Sequence, residues 1–115
     1  MLKKVEWQKK EVKQNMRGGT GAVTITHYFT QDEFGAKCRL CAELLLPPGA
    51  SIGPHAHQDE DEVFIIQRGI ATMTDNGREI HAGPGDAVIT GKGGAHSIAN
   101  NGAEELVVTA VIVQY

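Results

Sequence analysis

Two histidines, His55 and His57, stand two residues apart in the stretch Gly49–Gly69, and a glutamate, Glu62, follows five residues after the second. Residues i and i+2 of an extended chain share a face, so both imidazoles can aim at one point. A carboxylate brought in by the next strand adds a third donor. A further histidine, His96, lies in the stretch Gly85–Asn100, where alternation puts it on one face with Ile98 and Asn100. If the strand of His96 neighbours that of His55 and His57, the set becomes three imidazoles and one carboxylate. Such a nitrogen and oxygen set without thiolate suits one divalent transition-metal ion, Mn, Fe, Co, Ni, Cu or Zn. Four protein donors leave two positions open on an octahedral ion, enough for a bidentate small molecule.

The elements that must position these residues read as strands. Glycine and proline recur every eight to twelve residues with β-branched runs between them, the rhythm of an all-β sandwich or barrel. The first clear strand is Val23 to Phe29, entered through the glycine-rich loop Arg17–Gly21, and Thr30 to Glu33 has capping-box form with room for one helical turn. A longer strand, Cys38 to Leu46, puts Leu40, Ala42, Leu44 and Leu46 on one face and is stopped by Pro47-Pro48-Gly49. Strands follow at Glu62–Gln67, Ile70–Thr74, Arg78–His81, Ala87–Thr90, Ala95–Ala99 and Leu106–Gln114, with Asn76-Gly77 as the strongest hairpin signal. About nine to eleven short strands are expected, with no helical layer.

The two stretches resemble the two motifs of the cupin family. The first motif is a glycine, five residues, His-x-His, three or four residues, a glutamate, six residues and a glycine, filled here by Gly49, His55, His57, Glu62 and Gly69. Gly85, Gly93, His96 and Asn100 fill the second, with Gly91 where the family usually has proline. Together they span close to half the chain. The resemblance implies a double-stranded β-helix or jelly-roll barrel over residues 1–115, with residues 1–21 as an N-terminal arm and glycine-rich loop. It also implies a metal held by His55, His57, Glu62 and His96. Asp61, at the alternative motif spacing, is the runner-up to Glu62, which shares parity with Phe64 and Ile66. Cupins are commonly homodimers, and the N-terminal segment with Val5 and Trp7 is available to pair across a two-fold.

Two functions fit that reading. One is a metalloenzyme on a small molecule, of dioxygenase type or of sugar isomerase or lyase type; the other is a non-catalytic ligand-binding module with a structural or anchoring metal. Pocket-lining candidates are His27, Phe64, Ile66, Met73 and Ile98. His27 shares a face with Val23 and Ile25, which suits a packed histidine as well as a cavity wall, and His81 reads as surface.

Composition bounds the remainder. At 115 residues, with 41% hydrophobic and 22% charged residues, the chain fits one ordinary globular domain. The start has no apolar central region of a secretory signal, so a cytoplasmic location is the expectation. No run reaches a membrane span. Residues 1–17 hold Lys3, Lys4, Lys9, Lys10, Lys13 and Arg17 against Glu6 and Glu11, although the chain carries −3 overall. Without interleaved aromatics this basic arm reads as a solvated segment packed on an acidic body rather than a nucleic-acid surface. Cys38 and Cys41 lack the second pair of a zinc knuckle and read as reduced packing residues.

Overall fold

The computed structural model describes Met1–Tyr115 and contains ten strands. They are β1 (Lys9–Gln14), β2 (Ala22–Phe29), β3 (Cys38–Leu46), β4 (Ser51–Ala56), β5 (Glu60–Arg68), β6 (Ala71–Asp75), β7 (Arg78–Ala82), β8 (Ala87–Gly91), β9 (Ala95–Ala99) and β10 (Leu106–Gln114). All pairings are antiparallel and build two sheets, a six-stranded one in the order β1-β2-β3-β10-β5-β8 and a four-stranded one in the order β4-β9-β6-β7. This is the jelly-roll expectation, met by two packed sheets that share one core. The only helical pieces are three 3-10 turns of three residues each, and no helix is long and apolar enough to cross a membrane.

Alternation explains the core. Ala42, Leu44 and Leu46 of β3 face Val108 and Ala110 of β10 and Phe64 and Ile66 of β5, all buried, and meet Ile52, Met73 and Ile98 of the smaller sheet. Leu40 continues that face, partly buried at the edge of the core. The β6–β7 hairpin turns on Asn76 and Gly77, whose φ of 48° and 83° are the positive values a two-residue turn needs to follow the strand twist.

The basic arm differs from expectation. Expected only as a solvated edge segment packed on the acidic body, it forms a regular edge strand on β2 over Lys9–Gln14, in the register Lys9↔His27 to Gln14↔Ala22. The segment has weak strand propensity, and the ladder offered by β2 overrides it. This pairing lies within the chain. Ahead of β1, Lys3 Nζ binds Glu33 Oε1 at 2.7 Å, so the arm does lie on the acidic body.

After β1 the backbone makes a tight turn in which Asn15 and Arg17 are both left-handed, with φ of 51° and 56°. For Arg17 that conformation costs about 1–2 kcal/mol. It lets Met16, between them, pack against the core, and the following residues lace onto β4. Ser51 N–H donates to Thr20 O at 2.8 Å, and Thr20 N–H donates to Ser51 Oγ at 2.9 Å. A Cβ on Gly53 would collide with the carbonyl oxygen of Arg17, so glycine is what allows this closeness.

Candidate metal centre

The site forms where β4, β5 and β9 converge. Between Ile52 and His55 the pairing of β4 with β9 slips by one residue, a bulge at Gly53-Pro54. The extra residue resets the alternation, so that Ile52 fills the core while His55 and His57 turn to the same interior. His55 lies directly opposite His96 on β9, and His57 follows the last residue of β4. Glu62 arrives from the other sheet, on the inward face of β5 with Phe64 and Ile66. That strand opens at Glu60, two residues before the expected Glu62.

The donor atoms meet closely. His57 Nε2 lies 2.9 Å from Glu62 Oε1 and 3.0 Å from His96 Nε2. His96 Nε2 lies 3.0 Å from Glu62 Oε1 and 3.2 Å from His55 Nε2. One donor atom from each of the four residues falls within 4.8 Å of every other, and only His55 is more than marginally exposed.

The outer ring nitrogens fix which atoms are free. His55 Nδ1 is 2.8 Å from Gly53 O, and His57 Nδ1 is 2.5 Å from Glu60 Oε2. A carbonyl and a carboxylate only accept, so both Nδ1 atoms carry the proton and donate it. In the neutral rings the two Nε2 atoms are then bare lone pairs aimed at a buried carboxylate and a third ring. His96 Nδ1 is held by Thr90 Oγ1 at 3.0 Å. Converging lone pairs and a carboxylate repel one another unless a cation stands between them, and this donor set fits a divalent transition metal.

The titration tendencies follow from the same contacts. Burial alone would raise the Glu62 carboxyl, but His57 and His96 hold it below the usual range. Contact with Glu62 pushes His57 up against the opposing effect of burial, with Glu60 adding to the rise. Burial lowers His55, and its histidine neighbours lower it further. Glu60 falls to about 2, first because Arg39 donates to it from Nε at 2.7 Å and Nη2 at 2.8 Å, and then because His57 adds to this.

A cavity of about 480 Å³ opens from the cluster. His55, His57 and Glu62 lie at one part of its wall, with Ile25, Leu40, Leu44, Ile52, Phe64 and Ile112 as its apolar lining. Of the pocket candidates, His27 and Phe64 belong to this wall, while Ile66, Met73 and Ile98 are buried in the core and take no part in it. Phe64 stacks on His96 at 5.0 Å between ring centres, 13° from parallel. His27 Nε2 stands 3.5 Å from Glu11 Oε1. Asp61, the alternative to Glu62, points to the opposite face and accepts Tyr115 Oη–H at 2.6 Å. Asn100 is structural, its Nδ2 donating to Leu46 O and Glu104 O at 2.8 Å each. His81 lies on the surface, its side chain 60% exposed.

Sequence reasoning missed the residues behind the ligands. Glu60 carried a signal, since it shares parity with Glu62 in the acidic run. Arg39 and Thr90 carried none, because strands distant in sequence bring them to Glu60 and His96.

Fold and site together define a cupin, and the family model for the cupin domain matches residues 42–112, so the chain belongs to the cupin family. Among its relatives, the oxalate-binding protein of Thermotoga maritima is 40% identical over 99 residues, covering 86% of this chain and 82% of that protein. The crystal structure of a predicted oxalate decarboxylase from Thermotoga maritima superposes with a TM-score of 0.94 over the full length of both chains, at 36% identity. A polyketide cyclase from Streptomyces resistomycificus, 19% identical over 99% of this chain and 80% of its own, shares the fold with a TM-score of 0.78.

Proposed function

We propose that this cupin holds one divalent transition metal through His55, His57, Glu62 and His96 and binds a small bidentate carboxylate, of which oxalate is the simplest, at that ion. The observation that carries the reading is the convergence of three imidazole nitrogens and one buried carboxylate, with His55, His57 and Glu62 at the wall of a single cavity. The similarity to an oxalate-binding protein supports the choice of ligand. When bound, the metal would supply Lewis acidity and open coordination positions for the ligand. The protein's own residues do the rest. Gly53 O, Glu60 and Thr90 orient the three rings, and the apolar wall around Phe64 excludes water from one side.

The test is calorimetric titration of oxalate into protein loaded with Mn, and in parallel with Fe, Co, Ni, Cu and Zn, against metal-stripped protein. Binding that requires the metal is expected. Equal binding by the stripped protein, or failure of all these ions to bind near one per chain, would overturn the reading.

Catalysis is favoured by one specific feature: His27 and Glu11 place a titratable pair in the same cavity wall without serving as ligands. In a decarboxylation the C–C bond breaks, carbon dioxide leaves, and a proton must reach the carbon left behind. We assign that delivery to His27, which lines the cavity and is not one of the four donors. Formate and carbon dioxide in equal amounts from oxalate, reduced in His27→Gln, are the expected products; no turnover with metal-dependent binding intact leaves the binding module.

We also propose a cytoplasmic homodimer. Both cysteines are unpaired thiols, in keeping with a reducing compartment. The outer face of the six-stranded sheet carries Val63, Ile65, Val107 and Val111 half-buried and Ile89 63% exposed, an apolar surface suited to a second copy.

A further inference from the structure

The cavity is larger than its smallest ligand needs. A volume of about 480 Å³ lies within the roughly 300–1,000 Å³ that drug-sized molecules occupy, whereas an oxalate ion fills only the part next to the metal. The remaining wall is patterned. It combines apolar residues, Ile25, Leu44 and Phe64 among them, with charged residues of the N-terminal segment, Lys13 and Arg17 among them.

The backbone places these two cations. In the β1–β2 register Lys13 is opposite Val23 and Glu11 opposite Ile25, so both stand on the inward face of the sheet with those buried residues. Arg17 follows from the left-handed turn, whose neighbour Met16 is packed into the core and whose carbonyl lies against Gly53, two residues before His55. A non-glycine residue held at positive φ marks a conformation that the surroundings enforce, and such positions cluster at binding sites. The other charges of the wall are engaged, Arg39 with Glu60 and Glu11 with His27, whereas Lys13 and Arg17 form no ion pair. Two unpaired, exposed cations therefore line the same cavity as His55, His57 and Glu62, in a protein of net charge −3.

The geometry points to a second anion subsite at Lys13 and Arg17, and hence to a physiological ligand longer than oxalate: an acid with a bidentate head at the metal, an apolar chain against Ile25, Leu44 and Phe64, and a second carboxylate at the two cations. This rests on the proposed metal-dependent carboxylate binding and names its substrate class.

The experiment uses matched pairs on the Mn-loaded full chain. Linear 2-oxo diacids of five to eight carbons are titrated against the 2-oxo monoacids of equal length, which share the chelating head and lack the second carboxylate. At the best length the diacid should bind tighter by roughly tenfold or more, the fold-change of one charge-assisted hydrogen bond. That ratio should fall towards one in Lys13→Gln combined with Arg17→Asn, since asparagine tolerates the left-handed backbone. Lys13→Gln alone, which leaves the turn untouched, should reduce the ratio in part. A diacid advantage absent at every length, or unchanged in both variants, overturns the subsite. Loss of binding by monoacids, diacids and oxalate alike in wild-type protein instead overturns the metal-site reading beneath it.

Discussion

Glu60 Oε2 lies 2.5 Å from His57 Nδ1, and this carboxylate is itself gripped by both Nε and Nη2 of Arg39. The contact fixes the ring so that Nε2 faces the other donors, and it raises the basicity of that nitrogen. Glu60→Gln keeps the shape but can present an amide hydrogen to Nδ1. Metal affinity should fall about 10–100-fold, as measured by competition with a chelator. Arg39→Met should fall in the same direction by less, since Glu60 remains. Affinity unchanged in Glu60→Gln would mean that the ring is held by packing alone.

His96 is the sole donor from the second motif. His96→Ala removes a ring nitrogen that lies 3.0 Å from His57 Nε2 and Glu62 Oε1 and 3.2 Å from His55 Nε2, and metal bound per chain should drop well below one. The readout that separates this from misfolding is thermal. Wild-type Tm rises with added metal, because a ligand of the folded state stabilises by about 2.7 kcal/mol at a hundredfold excess over Kd. The variant's Tm should stay flat. A variant that still responds to metal would place the site elsewhere.

The cluster of four side chains was legible because its signal is local. His55 and His57 are fixed by a spacing of two, and Glu62 and His96 by motif distance. The strands from β2 onward were legible through the alternation of residues such as Ala42, Leu44 and Leu46. What escaped depends on partners far along the chain. Lys9–Gln14 has the composition of a solvated arm and becomes a strand only because β2 offers a free edge. The bulge at Gly53-Pro54, which turns both histidines inward, follows from pairing with β9 rather than from any property of the residues alone. Met73 and Ile98 show the opposite limit: alternation identifies the inward face, but it does not separate the filled core from the cavity wall.

One of the links between the N-terminal segment and the body is electrostatic and titrates. Lys3 Nζ bonds to Glu33 at 2.7 Å and Thr30 N–H donates to the same oxygen at 2.8 Å, holding this carboxyl at about 2 instead of its ordinary 4.5. A folded-state value below the unfolded one stabilises the fold above pH 4.5, and the contribution is lost as pH falls through 2. NMR titration should show Glu33 protonating near pH 2, and Lys3→Ala should move that midpoint up towards the ordinary value. A midpoint near 4.5 in the wild type would mean that the pair is not formed in solution.

Phe64 joins the core to the site. It is 2% exposed and its ring stacks on His96. Phe64→Ala should cost about 3–5 kcal/mol in urea unfolding of the metal-stripped protein. Phe64→Leu should cost less but still weaken metal binding, because the face of His96 loses its support. Separate measurement of stability and metal affinity distinguishes the two effects.

Gly91 occupies the place where a proline is usual in the second motif, and the structure supplies a reason. It pairs with Asp61 across β5 and β8, and a Cβ there would collide with the Asp61 carboxylate. That carboxylate accepts the Tyr115 hydroxyl proton at 2.6 Å, while Lys92 N–H donates to the same hydroxyl oxygen at 2.9 Å. The loop leading to His96 is thus braced by Tyr115 rather than by a proline ring. Gly91→Ala should destabilise by about 1–3 kcal/mol through overpacking. If Asp61 is the obstacle, Asp61→Ala should relieve most of that cost, and a double-mutant cycle by urea unfolding should return a coupling of about 0.5–3 kcal/mol. Additive effects of the two substitutions would show that Asp61 is not the obstacle.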